Sequence, residues 1–277
     1  MTSHEPITHK PVVLSMEVDM DDATESYYRI QFGSQVKYLI VDPGIIDRDV
    51  HIMPIDSLPT FPYAEKWTEA HVSRNKISND LEYNFSDREL AGVKNQWHPK
   101  LIDFLTLEKI RSIAITVFEA VLDADVSHLG LQSTVIAKIA RFEWEIPRIE
   151  KETRAYQLLE GSGLAPRFLG HIHENGRIMG FVLEKLEGRR ASLDDLSSCE
   201  SAVRKLHGLG LLHGDVNRHN FLVTEEGVIL LDFETLGENA SPESMCKELE
   251  SLPAELVEDT GRGGGILYAV DGVSSTI

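Results

Sequence analysis

The stretch that decides the fold is HGDVNRHNFLVTEEGVILLDFE, residues 213–234. A polar loop opens it, and two short apolar runs separated by a Thr-Glu-Glu-Gly turn follow, which predicts a β-hairpin. The hairpin would bring Asp215, Asn220 and Asp232 together at its open end. Carboxylate and amide oxygens suit a hard cation, so the stretch predicts a magnesium site. The alternative is a hairpin whose Asp and Asn side chains only cap turns.

The same residues resemble a known family. The pattern H-x-D-x-x-x-x-N, followed by an apolar strand and D-F-x, resembles the catalytic loop and metal-binding motif of the protein-kinase-like superfamily. The His-Gly-Asp opening and Asp-Phe-Glu ending are closer to the aminoglycoside phosphotransferase and choline kinase branch, and to fungal kinase-like proteins. The resemblance implies that Asp215 is the catalytic base and that Asn220 and Asp232 hold magnesium on the phosphates of ATP. It covers residues 105–256 and is strongest over 205–234.

A lysine and a glutamate upstream extend the resemblance. Residues 134–142, TVIAKIARF, alternate as a strand with Lys138 in the middle. By the resemblance Lys138 holds the α- and β-phosphates of ATP, whereas a solvent-facing strand lysine is the other interpretation. A helix with Pro147 in its first turn follows, and both Glu150 and Glu152 could pair with Lys138. The family's pattern of a Glu before a small residue and an aromatic favours Glu152, whose carboxylate would keep the lysine charged and oriented toward phosphate.

The next apolar run points to the place where a base would bind. Residues 178–184, IMGFVLE, predict a strand, and the segment EKLEG overlaps its end. An apolar strand that ends in E-x-L-x-G resembles the hinge between the lobes of a kinase. The resemblance implies that backbone groups around Glu184 and Leu186 bind the adenine. Residues 201–212 predict a helix that leads to His213, which in the family braces the catalytic loop.

Composition limits the function classes. The chain has 277 residues, of which 42% are hydrophobic, enough for a globular core. Asp and Glu number 45 against 27 Lys and Arg, a formal net charge of −18. Such acidity argues against nucleic-acid binding, because phosphates would be repelled. Cys199 and Cys246 lack metal-ligand spacing and are expected to be reduced thiols. With no apolar leader and no membrane-length apolar run, a soluble cytoplasmic protein is expected.

The combined elements predict an α+β fold of the protein-kinase-like, two-lobed type, with a β-rich N-terminal extension and a shortened C-terminal lobe. The expected boundaries are 1–100 for the extension, 101–186 for the N-terminal lobe, 187–258 for the C-terminal lobe and 259–277 for a flexible tail. Within the extension, β-rich runs predict strands over residues 11–18, 27–32 and 36–41.

Two features depart from the family pattern. The stretch 111–121, where a glycine-rich loop over the phosphates is expected, contains no glycine. The chain ends 45 residues after Asp232, fewer than a complete kinase C-terminal lobe needs. Two functions follow. The first is an ATP- and magnesium-dependent phosphotransferase acting on a hydroxyl of a small molecule or protein. The net charge and a cluster of acidic residues near the expected cleft favour a cationic small molecule; the cluster comprises Glu184, Glu187, Asp194 and Asp195. The second is a pseudokinase that binds nucleotide or serves as a scaffold without phosphoryl transfer.

Overall fold

The computed structural model describes residues 10–19, 21–46, 61–62, 66–122 and 133–258. The described residues contain four β-sheets and three α-helices, which confirms the predicted α+β class. The chain divides into two compact units, residues 1–91 and 92–277. The predicted tail, 259–277, lies outside the described residues.

The first unit is built on a five-stranded mixed sheet. Its strands in spatial order are β1 (Val12–Glu17), β2 (Ser26–Phe32), β3 (Gln35–Val41), β4 (Glu69–Arg74) and β5 (Leu81–Ser86). Neighbours are antiparallel except β3 and β4, which are parallel. The three strands predicted here are confirmed, and Gly33, with φ of 59°, makes the tight turn between β2 and β3. Tyr28, Ile30 and Leu39 lie in the core of this unit.

The second unit contains a six-stranded sheet with the order β6-β10-β11-β9-β8-β7. The strands are β6 (Leu101–Asp103), β7 (Glu108–Ser112), β8 (Val117–Leu122), β9 (Ser133–Ile139), β10 (Phe168–Glu174) and β11 (Arg177–Glu184). Only the β6–β10 pair is parallel. Lys138 therefore stands on an interior strand. Residues 92–100, assigned to the extension from the sequence, belong to this unit: the Val93 amide donates to the Ile178 carbonyl, 2.8 Å away.

The first helix, α1 (Ile146–Leu159), follows β9 as the sequence predicts. Pro147 stands in its first turn, where a missing amide hydrogen costs nothing. Gly161, with φ of 72°, lies in the turn beyond its end. The residues Ile149, Tyr156 and Leu159 recur at helical spacing and are buried, so the apolar stripe faces the core.

The remaining elements follow β11. They are β12 (Arg189–Arg190), α2 (Leu196–Gly208), β13 (Leu211–Leu212), β14 (Phe221–Thr224), β15 (Gly227–Leu230), β16 (Gly237–Glu238) and α3 (Pro242–Val257). β14 and β15 form the predicted hairpin, with Thr224 opposite Gly227. β12 pairs with β14, and β13 pairs with β16. The helix predicted over 201–212 begins earlier, at Leu196. It also ends earlier, at Gly208, because Gly210 adopts a positive φ of 77° and residues 211–212 pair with β16.

One apolar core runs through the second unit. Phe181 of β11, Tyr156 of α1, Leu206 of α2 and Leu252 of α3 all belong to it. Packing of this kind removes the apolar faces of the helices and of the sheet from water, which is the main stabilising contribution. Within the described ranges, none of the helices has the length and apolar character needed to cross a membrane.

Candidate functional site

Lys138 is the centre of the candidate site. Its Nζ lies 2.6 Å from Glu152 Oε2, 3.0 Å from Asp232 Oδ1 and 2.9 Å from Glu234 Oε1. The lysine side chain is 5% exposed and that of Glu152 is 2% exposed, whereas Asp232 and Glu234 are 25% and 20% exposed. One ammonium thus joins a buried carboxylate of α1 to two carboxylates that reach solvent.

The structure decides between the two glutamates that the sequence left as partners of Lys138. Glu152 lies on the buried stripe of α1 and forms the ion pair. Glu150 lies outside that stripe, and its carboxylate accepts hydrogen bonds from the backbone amides of Lys94 and Asn95, the latter at 3.0 Å. The predicted pair of Lys138 with Glu152 is therefore present.

The acidic groups outnumber the cations at this point. Besides Lys138, Arg148 of α1 binds Glu234, with Nη2 2.7 Å from the carboxylate. Burial raises the pKa of Glu152, the carboxylates of Asp232 and Glu234 add to the rise, and Lys138 opposes it. Burial alone would lower the pKa of Lys138, but the three carboxylates outweigh burial and the pKa lies above its ordinary value. Among the described residues, three acidic side chains meet two cationic ones here, and this excess of acidic groups favours an added cation.

Asp232 is held in an uncommon backbone conformation. Its φ of 59° lies in the left-handed region, which Asp and Asn tolerate better than other residues with a side chain. The next residue, Phe233, is fully buried and its ring meets that of Tyr156 edge-on at 5.4 Å. Phe233 therefore anchors the backbone in the core, and the turn presents the Asp232 carboxylate to Lys138.

Asp215 and Asn220 form a second group on the polar loop. The amide Nδ2 of Asn220 donates to the backbone carbonyl of Asp215 at 2.9 Å and to its Oδ2 at 3.2 Å. The backbone carbonyl of Asn220 accepts a hydrogen bond from the Leu231 backbone amide at 2.9 Å. The loop is thus attached to the residue that precedes Asp232.

His213 ties the start of the loop to the same place. Its Nε2 lies 3.0 Å from the Leu231 carbonyl, which identifies this nitrogen as the donor. Burial lowers the pKa of His213, so the ring is neutral near pH 7. The bracing contact to backbone beside the Asp-Phe-Glu segment, implied by the family resemblance, is present.

Glu248 is a buried glutamate of α3 that was not predicted as a site residue from the sequence. Its carboxylate lies 2.7 Å from His207 Nε2 and accepts hydrogen bonds from the amides of His213, at 3.3 Å, and Gly214, at 2.6 Å. These partners lie 34 to 41 residues earlier in the chain. Neither a motif nor a periodicity marks this residue, because its role depends on how α3 packs against α2 and the loop.

Replacing Glu248 with glutamine is expected to lower the free energy of unfolding by about 1–3 kcal/mol, because charge-assisted hydrogen bonds to buried groups are lost. Urea denaturation at pH 7 measures the change. Glu250→Gln is the matched control, since Glu250 is an exposed glutamate of the same helix. Equal effects of the two substitutions would contradict the bracing role of Glu248.

The predicted hinge lies at the end of β11 but does not join the Lys138 group through its side chains. The Glu184 carboxylate binds Arg167, with 2.6 Å between Oε2 and Nε, and the Glu184 amide donates to the Arg167 carbonyl at 3.0 Å. Glu184 and Leu186 line a cavity of about 1040 Å³ between the end of α1 and the β14–β15 turn. The residues that line it do not include Lys138, Glu152, Asp215, Asn220 or Asp232.

The turn between β7 and β8 lies within residues 111–121, where the resemblance predicts a glycine-rich loop. It comprises residues 113–116 and contains no glycine. The amides of Ile113 and Ala114 both donate to the Val117 carbonyl, at 2.9 and 3.0 Å, so the turn is tight. Ile115 at its tip is 77% exposed.

Comparison with known proteins gives a partial likeness. No protein-family model matches the chain. A stretch of 91 residues is 28% identical to a segment of the probable bifunctional tRNA threonylcarbamoyladenosine biosynthesis protein of Methanothermobacter thermautotrophicus. The likeness covers 31% of this chain and 17% of that protein, so this chain spans only a small part of the relative's length.

Proposed function

We propose that the second unit is a kinase-like, two-lobed domain that transfers a phosphoryl group from ATP, with magnesium, to a hydroxyl of a small molecule or protein. The observation that carries the proposal is the convergence of Lys138, Glu152 and Asp232 on one another, although Lys138 and Asp232 are 94 residues apart in the chain. The sheet of β6–β11 with α1 would be the N-terminal lobe, and residues 187–258 the C-terminal lobe.

The residues at the site fit a magnesium ion. Asp232 and Glu234 supply partly exposed carboxylate oxygens, which are the ligands that this cation prefers. The side-chain nitrogen of Asn220 donates to Asp215, so the side-chain oxygen of Asn220 points away from Asp215. Asn220 and Asp232 would hold the ion, and when bound with ATP it would neutralise phosphate charge.

The chain's own groups would do the rest by position and charge. Lys138, kept charged and oriented by Glu152, binds the phosphates. Asp215, held in the loop by Asn220, orients the acceptor hydroxyl and takes its proton as phosphoryl transfer proceeds. The adenine would contact the backbone of Glu184 and Leu186, through the Glu184 carbonyl and the Leu186 amide.

The charge of the substrate is proposed from the composition. Of the acidic residues near the hinge, Glu184 is paired with Arg167 and Asp195 with Arg189. The support for a cationic small molecule is therefore the net charge of −18 rather than a local cluster.

The alternative is a pseudokinase that binds nucleotide or a partner protein without phosphoryl transfer. The turn of residues 113–116 favours it, because a backbone without glycine approaches phosphates less closely. The presence of Lys138, Asp215, Asn220 and Asp232 together favours the phosphotransferase.

Calorimetric titration of ATP, with and without magnesium, tests the proposal on the wild type and on Asp232→Asn. Asparagine also tolerates the left-handed conformation, so the substitution removes a charge with little backbone strain. We expect micromolar binding that requires magnesium in the wild type and binding at least about tenfold weaker in the variant.

A matched control makes the same chemical change elsewhere. Asp22 of the first unit also has a positive φ, of 53°, and Asp22→Asn should leave ATP binding unchanged. Nucleotide binding that depends neither on magnesium nor on Asp232 would reject the phosphotransferase and favour the pseudokinase. Absence of binding would reject nucleotide-dependent activity of the wild type.

A further inference from the structure

A second ion pair lies on the same face of the six-stranded sheet as Lys138. In an antiparallel sheet, residues directly opposite each other point to the same face, as do residues two apart along a strand. Glu119 on β8 stands opposite Ile136 on β9, two residues before Lys138. The Glu119 side chain therefore projects from the face of the sheet that carries Lys138.

This pair joins β8 to the segment that follows β11. Lys185 Nζ lies 2.9 Å from Glu119 Oε1, and the two side chains are 19% and 9% exposed. The hydrogen bond from Lys185 lowers the pKa of Glu119, with burial opposing and Arg111 adding to the effect. Glu119 is therefore charged at neutral pH. We refer to Glu119 and Lys185 as the base-position ion pair.

The pair lies where the proposed function places the base. Glu119, Ile136 and Leu183 form one row across β8, β9 and β11, and Lys185 follows Leu183 by two residues. Because β9 lies between β11 and β8, the Lys185 side chain crosses β9 to reach Glu119. It lies beside the backbone that would contact adenine. A planar base binds best between apolar surfaces, whereas the pair puts two charges there. A base and the intact pair cannot occupy this space together.

Both members of the pair have another partner when they separate. Arg111 Nη2 lies 3.0 Å from Glu119 Oε2, so the carboxylate stays neutralised when the lysine leaves. Lys185 Nζ is 3.6 Å from Glu187 Oε1, on the exposed side of the segment. Separation therefore leaves neither charge buried alone, which keeps its cost moderate.

We propose that the base-position ion pair determines the nucleotide affinity of this site: a base binds only when Lys185 releases Glu119. The inference rests on the proposed nucleotide-dependent function and identifies Glu119 and Lys185 as affinity-determining rather than catalytic residues. Substitutions that abolish the pair should strengthen nucleotide binding, the opposite of what removal of a binding contact would do.

Calorimetric titrations of magnesium-ATP, and of adenosine as an uncharged probe, test this on Glu119→Gln and Lys185→Met. Each variant is expected to bind both ligands about tenfold more tightly than the wild type. The double variant should bind no more tightly than the better single variant, because both changes abolish the same pair. Glu108→Gln, which removes an exposed carboxylate of β7 in the same sheet, should leave both affinities unchanged.

The two substitutions change the net charge in opposite directions, which separates loss of the pair from a general electrostatic effect. Glu119→Gln removes a negative charge and Lys185→Met removes a positive one, so a general electrostatic effect on ATP would move the two affinities in opposite directions. Opposite shifts, or no gain in either variant, overturn the inference while magnesium-dependent binding by the wild type leaves the proposed function standing. Binding by the variants alone supports the inference, and absence of binding in every protein rejects both.

Discussion

Lys138→Met is expected to lower the free energy of unfolding by about 3–5 kcal/mol at pH 7, because it leaves the buried Glu152 without its cation. Asp232 and Glu234 stay close by, and Arg148 binds Glu234 rather than Glu152. Urea denaturation in the presence of a chelator measures the loss without interference from divalent cations. The double variant Lys138→Met, Glu152→Gln should recover much of it, since the unpaired charge is removed.

The loss should also depend on pH in a defined direction. Without the lysine, the pKa of Glu152 in the folded protein rises further above its unfolded value. In the wild type burial already raises this pKa to about 7, so the folded wild type and the folded variant differ in proton uptake mainly above pH 7. The deficit relative to the wild type therefore shrinks as pH falls from about 9 toward 7. A deficit that stays constant or grows over this range would contradict the assignment of Glu152 as the group left without a partner.

The first unit provides a matched control in Lys37. This lysine is also buried, but its Nζ donates to the backbone carbonyl of Trp67 at 2.8 Å and lies 4.3 Å from the centre of the Trp67 ring. Lys37→Met therefore removes a buried ammonium that contacts a backbone carbonyl and an aromatic ring, whereas the ammonium of Lys138 contacts a buried carboxylate. We expect this variant to cost less stability than Lys138→Met and to show no recovery at lower pH.

Asp215→Asn is expected to lower the rate of phosphoryl transfer about a hundredfold or more, while the affinity for ATP changes less than about twofold. Asparagine keeps an oxygen that can accept the hydrogen bond from Asn220, so the loop should retain its geometry. The substitution removes the charge that would take the proton of the acceptor hydroxyl. Release of ADP, measured against a panel of hydroxyl compounds and protein acceptors, reports the rate.

The control for this prediction is Asp80→Asn. Asp80 is an exposed residue of the first unit, so the same chemical change is made outside the proposed domain. Its replacement should leave rate and affinity unchanged. If Asp215→Asn weakens ATP binding as much as it slows the reaction, Asp215 belongs to nucleotide binding and a different group must accept the proton.

Much of the second unit could be read from local sequence. The β14–β15 hairpin follows from two β-rich runs around a Glu-Gly turn, and the strand with Lys138 follows from its alternation. Helix α1 follows from Pro147, the stripe of apolar residues and Gly161. Each of these signals acts over a few residues, through backbone conformation and the placement of one apolar face.

The end of α2 could not be predicted from the local sequence. Leu209 and Leu212 continue the helical spacing of the preceding residues, yet the helix ends at Gly208. Residues 211–212 pair instead with β16, which lies more than twenty residues later in the chain. A strand partner at that separation leaves no mark on the local pattern, so periodicity alone extended the helix too far.

The sequence by itself determined the α+β class, most of the elements and the short list of residues around Lys138 and Asp215. Only the tertiary structure decided that Glu152 rather than Glu150 binds Lys138, that Glu248 braces the loop, and that Lys185 reaches Glu119. Local order depends on the backbone preferences of neighbouring residues. Which distant charges meet depends on how the sheet and helices pack, because burial makes each charged group find a partner that the packing places within reach.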